Sequence, residues 1–407
     1  MLWYLVTKDE KMKIPIYNHQ TSSLSELDLQ MVKAIPTGGN WKDIPTTIPS
    51  KRVERIRETG GRTTYYGRLR WNHPAYTITT YFNRPGNGCN IHPDDSLSSK
   101  PQHRLLSFRE AARLQSFPDF FRFFGPKSSI YNQIGNAVPP LLAMSLAKSF
   151  KKNTLVDLFC GCGGLSKGFE LAGYNVIAGL ENDKHAILTW SKNHSGIPIL
   201  GDITKKEIKE KLIRNVKSVL MNSTLDILAG GPPCQGYSPA GWRQNSDPRN
   251  LLWINYLEIL QILNPKYFLI ENVPGILSMK KDGVLIIESM SKEFSKLNYK
   301  LNCHVLKAEE FGVPQKRKRV FIIGVRADQG EYKFPGSLIK DPFTVKDAIS
   351  NLPPLGCNDG KEEVFIENYS TQSKYQEWLI GKCSVDELIA SKPKPPKQER
   401  QSYLKMF

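Results

Sequence analysis

The sequence predicts an α/β fold, in which a largely parallel sheet carries helices and joins a smaller irregular region. Three observations predict it. Between residues 154 and 330, short apolar runs alternate with helical patterns, the layout of an open sheet that binds ligands at the carboxyl ends of its strands. Residues 1–100 are instead rich in Gly, Pro, Thr and Asn, with few helical patterns. At 407 residues the chain has room for two to three domain-sized units and a substantial core.

In chain order, residues 51–70 hold Lys51, Arg52, Arg55, Arg57, Arg62, Arg68 and Arg70 against only Glu54 and Glu58, a stripe suited to a phosphate backbone. SFREAARLQSF (107–117) reads as an amphipathic helix capped by Ser107, and PLLAMSLAKSF (140–150) as a helix opened by Pro139 and Pro140. TLVDLF reads as a buried strand, LSKGFELAG as a helix, NVIAGLEND as a second strand and HAILTWSKNH as a second helix. GIPILGDI, TLDILAGGPPC and KYFLIENVPG give three more strands, and KRVFIIGV a later one. Beyond about 335 the pattern weakens, and KPKPPKQER (392–400) reads as a basic, proline-rich tail.

Composition narrows the function classes. Apolar residues at 40% and charged residues at 23% describe a globular chain, not a disordered one. Lysine and arginine number 56 against 39 acids, and the net charge of +17 points to a polyanionic partner. No apolar run reaches the ~18 residues of a transmembrane helix, and MLWYLVTKDEKMKIP lacks the basic start of a secretory signal. Cys89, Cys160, Cys162, Cys234, Cys303, Cys357 and Cys383 are odd in number and scattered, as in a reduced cytosolic protein. Cys160 and Cys162 have no second cysteine or histidine pair nearby, so no metal site is expected.

DLFCGCGG sets Gly161, Gly163 and Gly164 between a strand and a helix, where backbone can approach a ligand. Ser166 occupies the third glycine position of a dinucleotide cradle, which argues against a pyrophosphate and against a dehydrogenase. Glu181, 20 residues beyond Gly161, can accept from ribose hydroxyls, with Asn182 and Asp183 beside it; Asp202 can accept from an adenine amine. An adenosine-bearing ligand without phosphates, such as S-adenosylmethionine, fits this set; an ordinary strand–turn–helix cluster with surface acids would look similar.

AGGPPCQGYS (229–238) holds Cys234 at the sheet edge behind two glycines and two prolines, a poor setting for core packing and a good one for a reactive thiolate. Glu271 ends the next strand, where desolvation raises a carboxyl pKa and suits it to proton donation. In QKRKR, alternation sends Gln315, Arg317 and Arg319 to one side and Lys316 and Lys318 to the other.

Together these segments resemble the cytosine-C5 DNA methyltransferase family: DLFCGCGG, GGPPCQGYS, ENVPG and QKRKR are similar to four of its motifs. RLLSFREAARLQSFPD (104–119) and YNQIGNAVPPLLAMSLA (131–147) are similar to its last two. Here those two come first, and the cofactor motif follows a short joint near Lys151–Asn153, so the order looks circularly permuted. The resemblance implies a Rossmann-like S-adenosylmethionine-dependent sheet at 151–335, a permuted catalytic segment at 101–150, and a target-recognition region split between 1–100 and 336–407.

It also implies the chemistry. Cys234 would attack C6 of a flipped-out cytosine, Glu271 would protonate N3, Arg319 would contact the base carbonyl, and Arg317 would organise the site. Phe159, Gly161, Gly163, Glu181, Asp202, Ile203, Pro233, Leu252, Asn136 and Val138 would hold S-adenosyl-L-methionine. The Cys234 loop, with Gly236, Ser238, Gly241, Arg243 and Arg249, would close over the base. Arg68, Arg70, Thr77 and Thr79 are candidates for reading double-stranded DNA, although a solvated loop face would look alike. A cytoplasmic prokaryotic monomer, paired with a separately encoded restriction endonuclease, is the expected setting. A non-catalytic DNA-binding relative and an RNA methyltransferase of the same fold are the rival readings.

Overall fold

The computed structural model describes residues 14–150, 153–232, 252–281, 283–367 and 369–394. The N-terminal region holds β1 (Ile14–Gln20), α1 (Glu26–Ala34), α2 (Lys51–Thr59), β2 (Gly67–Arg68) and β3 (Cys89–Ile91), followed by α3 (Phe108–Leu114), α4 (Lys127–Asn136) and α5 (Pro140–Ala147). The central block alternates β4 (Thr154–Leu158), α6 (Gly164–Leu171), β5 (Asn175–Glu181), α7 (Lys184–Asn193), β6 (Ile197–Leu200), α8 (Lys206–Leu220), β7 (Ile227–Gly230), α9 (Leu252–Leu263) and β8 (Tyr267–Asn272). It continues through the short β9 (Lys280–Lys281) and β10 (Val284–Leu285) to α10 (Ile286–Lys296), β11 (Tyr299–Lys307) and β12 (Lys318–Arg326). Then come α11 (Val345–Ile349), β13 (Gly360–Ile366), α12 (Lys374–Leu379) and α13 (Val385–Ala390).

Seven strands form the main sheet in the order β6–β5–β4–β7–β8–β12–β11. Every expected strand is present, with one difference of direction: β12 (KRVFIIGV) runs antiparallel to both β8 and β11. The reason is β11, a strand the apolar runs did not reveal. It is the sheet edge, and polar Lys300, Asn302 and His304 alternate there with buried Tyr299, Leu301 and Cys303. Alternation along the strands splits the core in two. Leu155, Val176, Leu269 and Phe321 face one cluster; Val156, Leu180, Ile270 and Ile322 face the other.

Helix α3 departs from expectation. Ser107 caps it as predicted, here in a capping box with Glu110, but all of its residues are buried, so it is not amphipathic. Its charges have buried partners instead of water. Arg104 grips Glu110 at 2.8 and 2.7 Å, and Arg113 grips Asp119 at 2.9 and 2.6 Å. Arg109 donates to the carbonyls of Tyr17, Pro118 and Phe121, while Arg113 also donates to Ala348 O, Asn351 Oδ1 and Tyr369 Oη. Planar guanidinium forks suit such multiple recognition. The helix thereby joins the early and late segments, which also pair directly as the antiparallel ladder β1–β13, Ile14 opposite Ile366 through Gln20 opposite Gly360. Among the described residues no helix is long and apolar enough to cross a membrane.

Candidate active site

Strands β4 to β8 are mutually parallel, so their carboxyl ends share one edge, and β4 stands where the chain order reverses between β5 and β7. The turn after β4 is left-handed at Phe159 (φ +56°), Gly161 (+55°) and Gly163 (+96°). Among the described residues nothing lies within 4 Å of where a Gly161 side chain would start, so none of them crowds this backbone. Gly163 serves packing: a Cβ there would sit 2.1 Å from His194 Nε2. A Cβ at Gly164 would meet Val138 O at 2.4 Å, which brings the Asn136–Val138 segment against the turn.

Glu181 accepts the Gly161 N–H at 2.9 Å on one oxygen and those of Asn182 and Asp183, at 2.8 and 3.0 Å, on the other. Burial nonetheless raises its pKa. Asp183 does not share its role; it caps α7 by accepting from His185 and Ala186. Asp202 is exposed, and the Thr204 N–H holds its carboxyl below the usual range. Ile203 and Val138 are buried, Leu252 half-buried and Asn136 exposed. A fixed carboxylate, a Gly161 that no described residue crowds and flanking apolar side chains fit an adenosine-bearing group.

Glu271 is the penultimate residue of β8, beside β7. Arg319 Nε lies 2.8 Å from its Oε1, which is buried. Burial raises the Glu271 pKa, opposed by Arg319 and Arg317. A Cβ at Gly231 would sit 3.3 Å from Glu271 Oε2, and Asn272 donates to Pro232 O at 3.2 Å. The acid therefore stands against the first residues of the loop after β7. The predicted alternation holds: Gln315 and Arg317 are buried and Arg319 half-buried, while Lys316 and Lys318 are exposed.

Arg317 is fully buried and donates to Ile78 O at 3.1 Å, Gly135 O at 2.9 Å and Ala137 O at 3.0 Å. It organises three segments rather than facing the open edge. Gln315, which sequence reasoning gave no role, accepts from Ile78 N–H at 3.0 Å and donates to Leu114 O at 3.1 Å. Pro233, Cys234 and the remainder of the proposed closing loop, with Gly236, Ser238, Gly241, Arg243 and Arg249, lie outside the described residues.

The recognition candidates divide. Arg68 is corrected: it is 1% exposed, and its guanidinium donates to the carbonyls of Val32, Ile35, His92 and Asp94. Its donors are spent on the fold. Arg70 is exposed. Thr77 donates to Lys316 O at 2.7 Å, and Thr79 Oγ1 accepts from Tyr81 N. Sequence reasoning also passed over Asp157 and Trp190, which no chain-order pattern connects.

A family model for the C-5 cytosine-specific DNA methylase matches residues 6–152 and 153–401. Among curated relatives, the Type II methyltransferase M.DdeI of Desulfomicrobium norvegicum is 39% identical over 232 residues, covering 55% of this chain and 54% of its own. The Type II methyltransferase M.AgeI of Thalassovita gelatinovora is 36% identical, covering 49% of this chain and 50% of its own. The chain thus spans about half the length of these relatives. A solved putative DNA modification methyltransferase from an E. coli prophage is 32% identical, covers 50% of this chain and 56% of its own, and has a TM-score of 0.40. With the family model matched along nearly its whole length, the chain belongs to the C-5 cytosine-specific DNA methylase family.

Proposed function

We propose that the protein is a DNA (cytosine-5-)-methyltransferase that modifies a flipped-out cytosine in duplex DNA. The observation that carries this is the Glu271–Arg319 pair at 2.8 Å, set against Gly231 and Pro232 on the same sheet edge as Glu181. Cys234, two residues beyond Pro232, attacks C6 and makes C5 nucleophilic; once C5 carries the methyl group, loss of its proton expels the Cys234 thiolate from C6. Glu271, whose burial favours its protonated form, supplies a proton at N3 as charge builds on the ring. Arg319 stays beside that carboxyl and contacts the base carbonyl, and Arg317 holds the surrounding backbone. S-adenosyl-L-methionine, when bound, supplies an electrophilic methyl group. Glu181 and Asp202 hold its ribose and adenine, with Phe159, Gly161, Gly163, Ile203, Pro233, Leu252, Asn136 and Val138 around it.

The same reading takes the chain as circularly permuted. The family model matches in two pieces that meet at 152 and 153, where α5 passes into β4. An alignment that keeps chain order can follow only one side of such a joint, and the relatives align over about half their length. The β1–β13 ladder supports one recognition region built from both flanks, 1–100 and 336–407. A monomer working beside a separate restriction endonuclease completes the reading.

DNA carrying 5-fluorocytosine tests it, because fluorine cannot leave C5 as a cation. With S-adenosyl-L-methionine present, the wild type should form a denaturant-stable adduct and Cys234→Ser should form none. An adduct from Cys234→Ser, or none from the wild type on a site confirmed by bisulfite sequencing, overturns the proposal.

A further inference from the structure

Ser166 occupies the position where a dinucleotide turn would carry its third glycine, and the reaction as derived gives it no part. The structure supplies a role. Its Oγ lies 2.6 Å from Asp157 Oδ2 and accepts the Trp190 indole N–H at 3.0 Å. Asp157, Ser166 and Trp190 are all buried, at 2%, 0% and 0% exposure. An indole N–H can only donate, so Ser166 passes its own proton onward to the carboxylate. The result is a directed chain from α7 through α6 to β4. Trp190 is fixed in place, because a Cβ at Gly163, Gly179 or Gly196 would lie 2.7, 2.5 or 2.9 Å from its ring.

This chain ends two residues before Phe159, a non-glycine residue held at φ +56°. That conformation is strained for a residue with a side chain and persists only where its surroundings impose it. Glu181 holds the far shoulder of the same turn through the Gly161 N–H. We propose that Asp157, Ser166 and Trp190 are positioning residues that set the cofactor turn, clamping its near shoulder so that Gly161 faces the ligand. The proposal rests on the S-adenosyl-L-methionine reading of this edge.

Protonation gives the chain a signature. Burial first, and the Glu181 carboxylate with it, push Asp157 up to about 7, while Ser166 hydrogen bonds oppose them. The other titratable groups facing it are Cys160 and Cys162 in the turn and Tyr256 on α9; burial raises all three, so they stay neutral. Ionised Asp157 accepts from Ser166; protonated Asp157 would reverse that bond and leave the serine proton without its acceptor. A cationic sulfonium favours the ionised carboxylates, whereas the thioether of S-adenosylhomocysteine is neutral.

Calorimetric Kd values for S-adenosylmethionine and S-adenosylhomocysteine, measured without DNA from pH 6 to 8.5, test the network. The wild type should gain about tenfold in affinity for the sulfonium ligand as Asp157 ionises, and less for the thioether. Asp157→Asn should flatten that difference, and Ser166→Ala should weaken both ligands about tenfold with DNA affinity within twofold. Should Asp157→Asn fail to fold, Ser166→Ala and Trp190→Phe carry the test. A Ser166→Ala protein with wild-type melting and wild-type Kd at every pH overturns the proposal. If the wild type binds neither ligand, the cofactor reading beneath it fails first.

Discussion

Replacing Arg317 with methionine keeps most of the aliphatic bulk and deletes three hydrogen bonds in a fully buried place. The carbonyls of Ile78, Gly135 and Ala137 would lose their donor with no water to replace it. Each orphaned buried group costs about 1–3 kcal/mol. Part of that returns, because burial and the neighbouring Arg319 already disfavour this guanidinium and hold its pKa well below the ordinary arginine value. Breaking one side of a buried charged network costs about 3–5 kcal/mol on balance, so a loss of about 4 kcal/mol is expected. The site should suffer twice: Ile78 lies in the proposed recognition region, while Gly135 and Ala137 flank Asn136 beside the proposed cofactor turn. Urea unfolding followed by fluorescence measures the first effect, and separate titrations of DNA and S-adenosylhomocysteine at low temperature measure the second. A variant within 1 kcal/mol of wild type, or one that weakens only one of the two ligands, would refute the account of Arg317 as the tie between them.

Other outcomes follow from single contacts. Gly135→Ala would place a Cβ 2.5 Å from the Thr79 and Thr80 backbone, so it should lower stability by about 1–3 kcal/mol and weaken DNA binding; a DNA Kd within twofold of wild type counts against it. Burial lowers the pKa of His19 to about 4 and that of His92 to about 3. The fold therefore binds fewer protons than the unfolded chain between about pH 4 and 6.5, and stability rises with pH across that window. His19→Gln should reduce that slope by about 1.4 kcal/mol per pH unit, read from urea midpoints between pH 4.5 and 6; an unchanged slope removes the histidine from the explanation. Arg68→Met should cost stability yet keep the salt dependence of DNA affinity. Arg70→Ala should do the reverse, lowering the slope of log Kd against log salt by about one; equal slopes in both variants would restore Arg68 as a phosphate contact.

What the sequence made legible were features of local chemistry. Apolar runs disclosed the strands that carry Glu181 and Glu271, and period-two alternation separated Arg317 and Arg319 from Lys316 and Lys318. Spacing could not reveal which cation is spent internally. Arg68 and Arg70 look equivalent in a basic stripe, but Arg68 donates to four carbonyls brought by Val32, Ile35, His92 and Asp94 from two separate stretches of chain. Helix α3 misled for a related reason. Arg109, Glu110 and Arg113 signal a solvated face unless their partners are known, and those partners range from Tyr17 to Tyr369.

The same long-range bonds explain how the proposed chain order is compatible with one intact site. Contacts that shape the cofactor turn cross between segments: Gly164 meets Val138 O, Cys162 Sγ donates to Gln133 O, and Arg317 reaches Gly135 and Ala137. None depends on which segment comes first, only on α5 delivering the chain to β4. In that order the proposed recognition region is assembled from two stretches far apart in sequence, which carries an entropic cost. Bonds already in place oppose that cost: the β1–β13 ladder, His19 Nε2 with Pro353 O at 2.9 Å, Thr21 with Gly356 and Asp359, and Arg104 with Leu355 O. Because several of these are buried and converge on α3, the unit that carries Arg113 and Glu110 is also the one that ties the two flanks of the proposed recognition region together. Weakening that tie should therefore reach α3 and the proposed catalytic segment before it reaches the sheet.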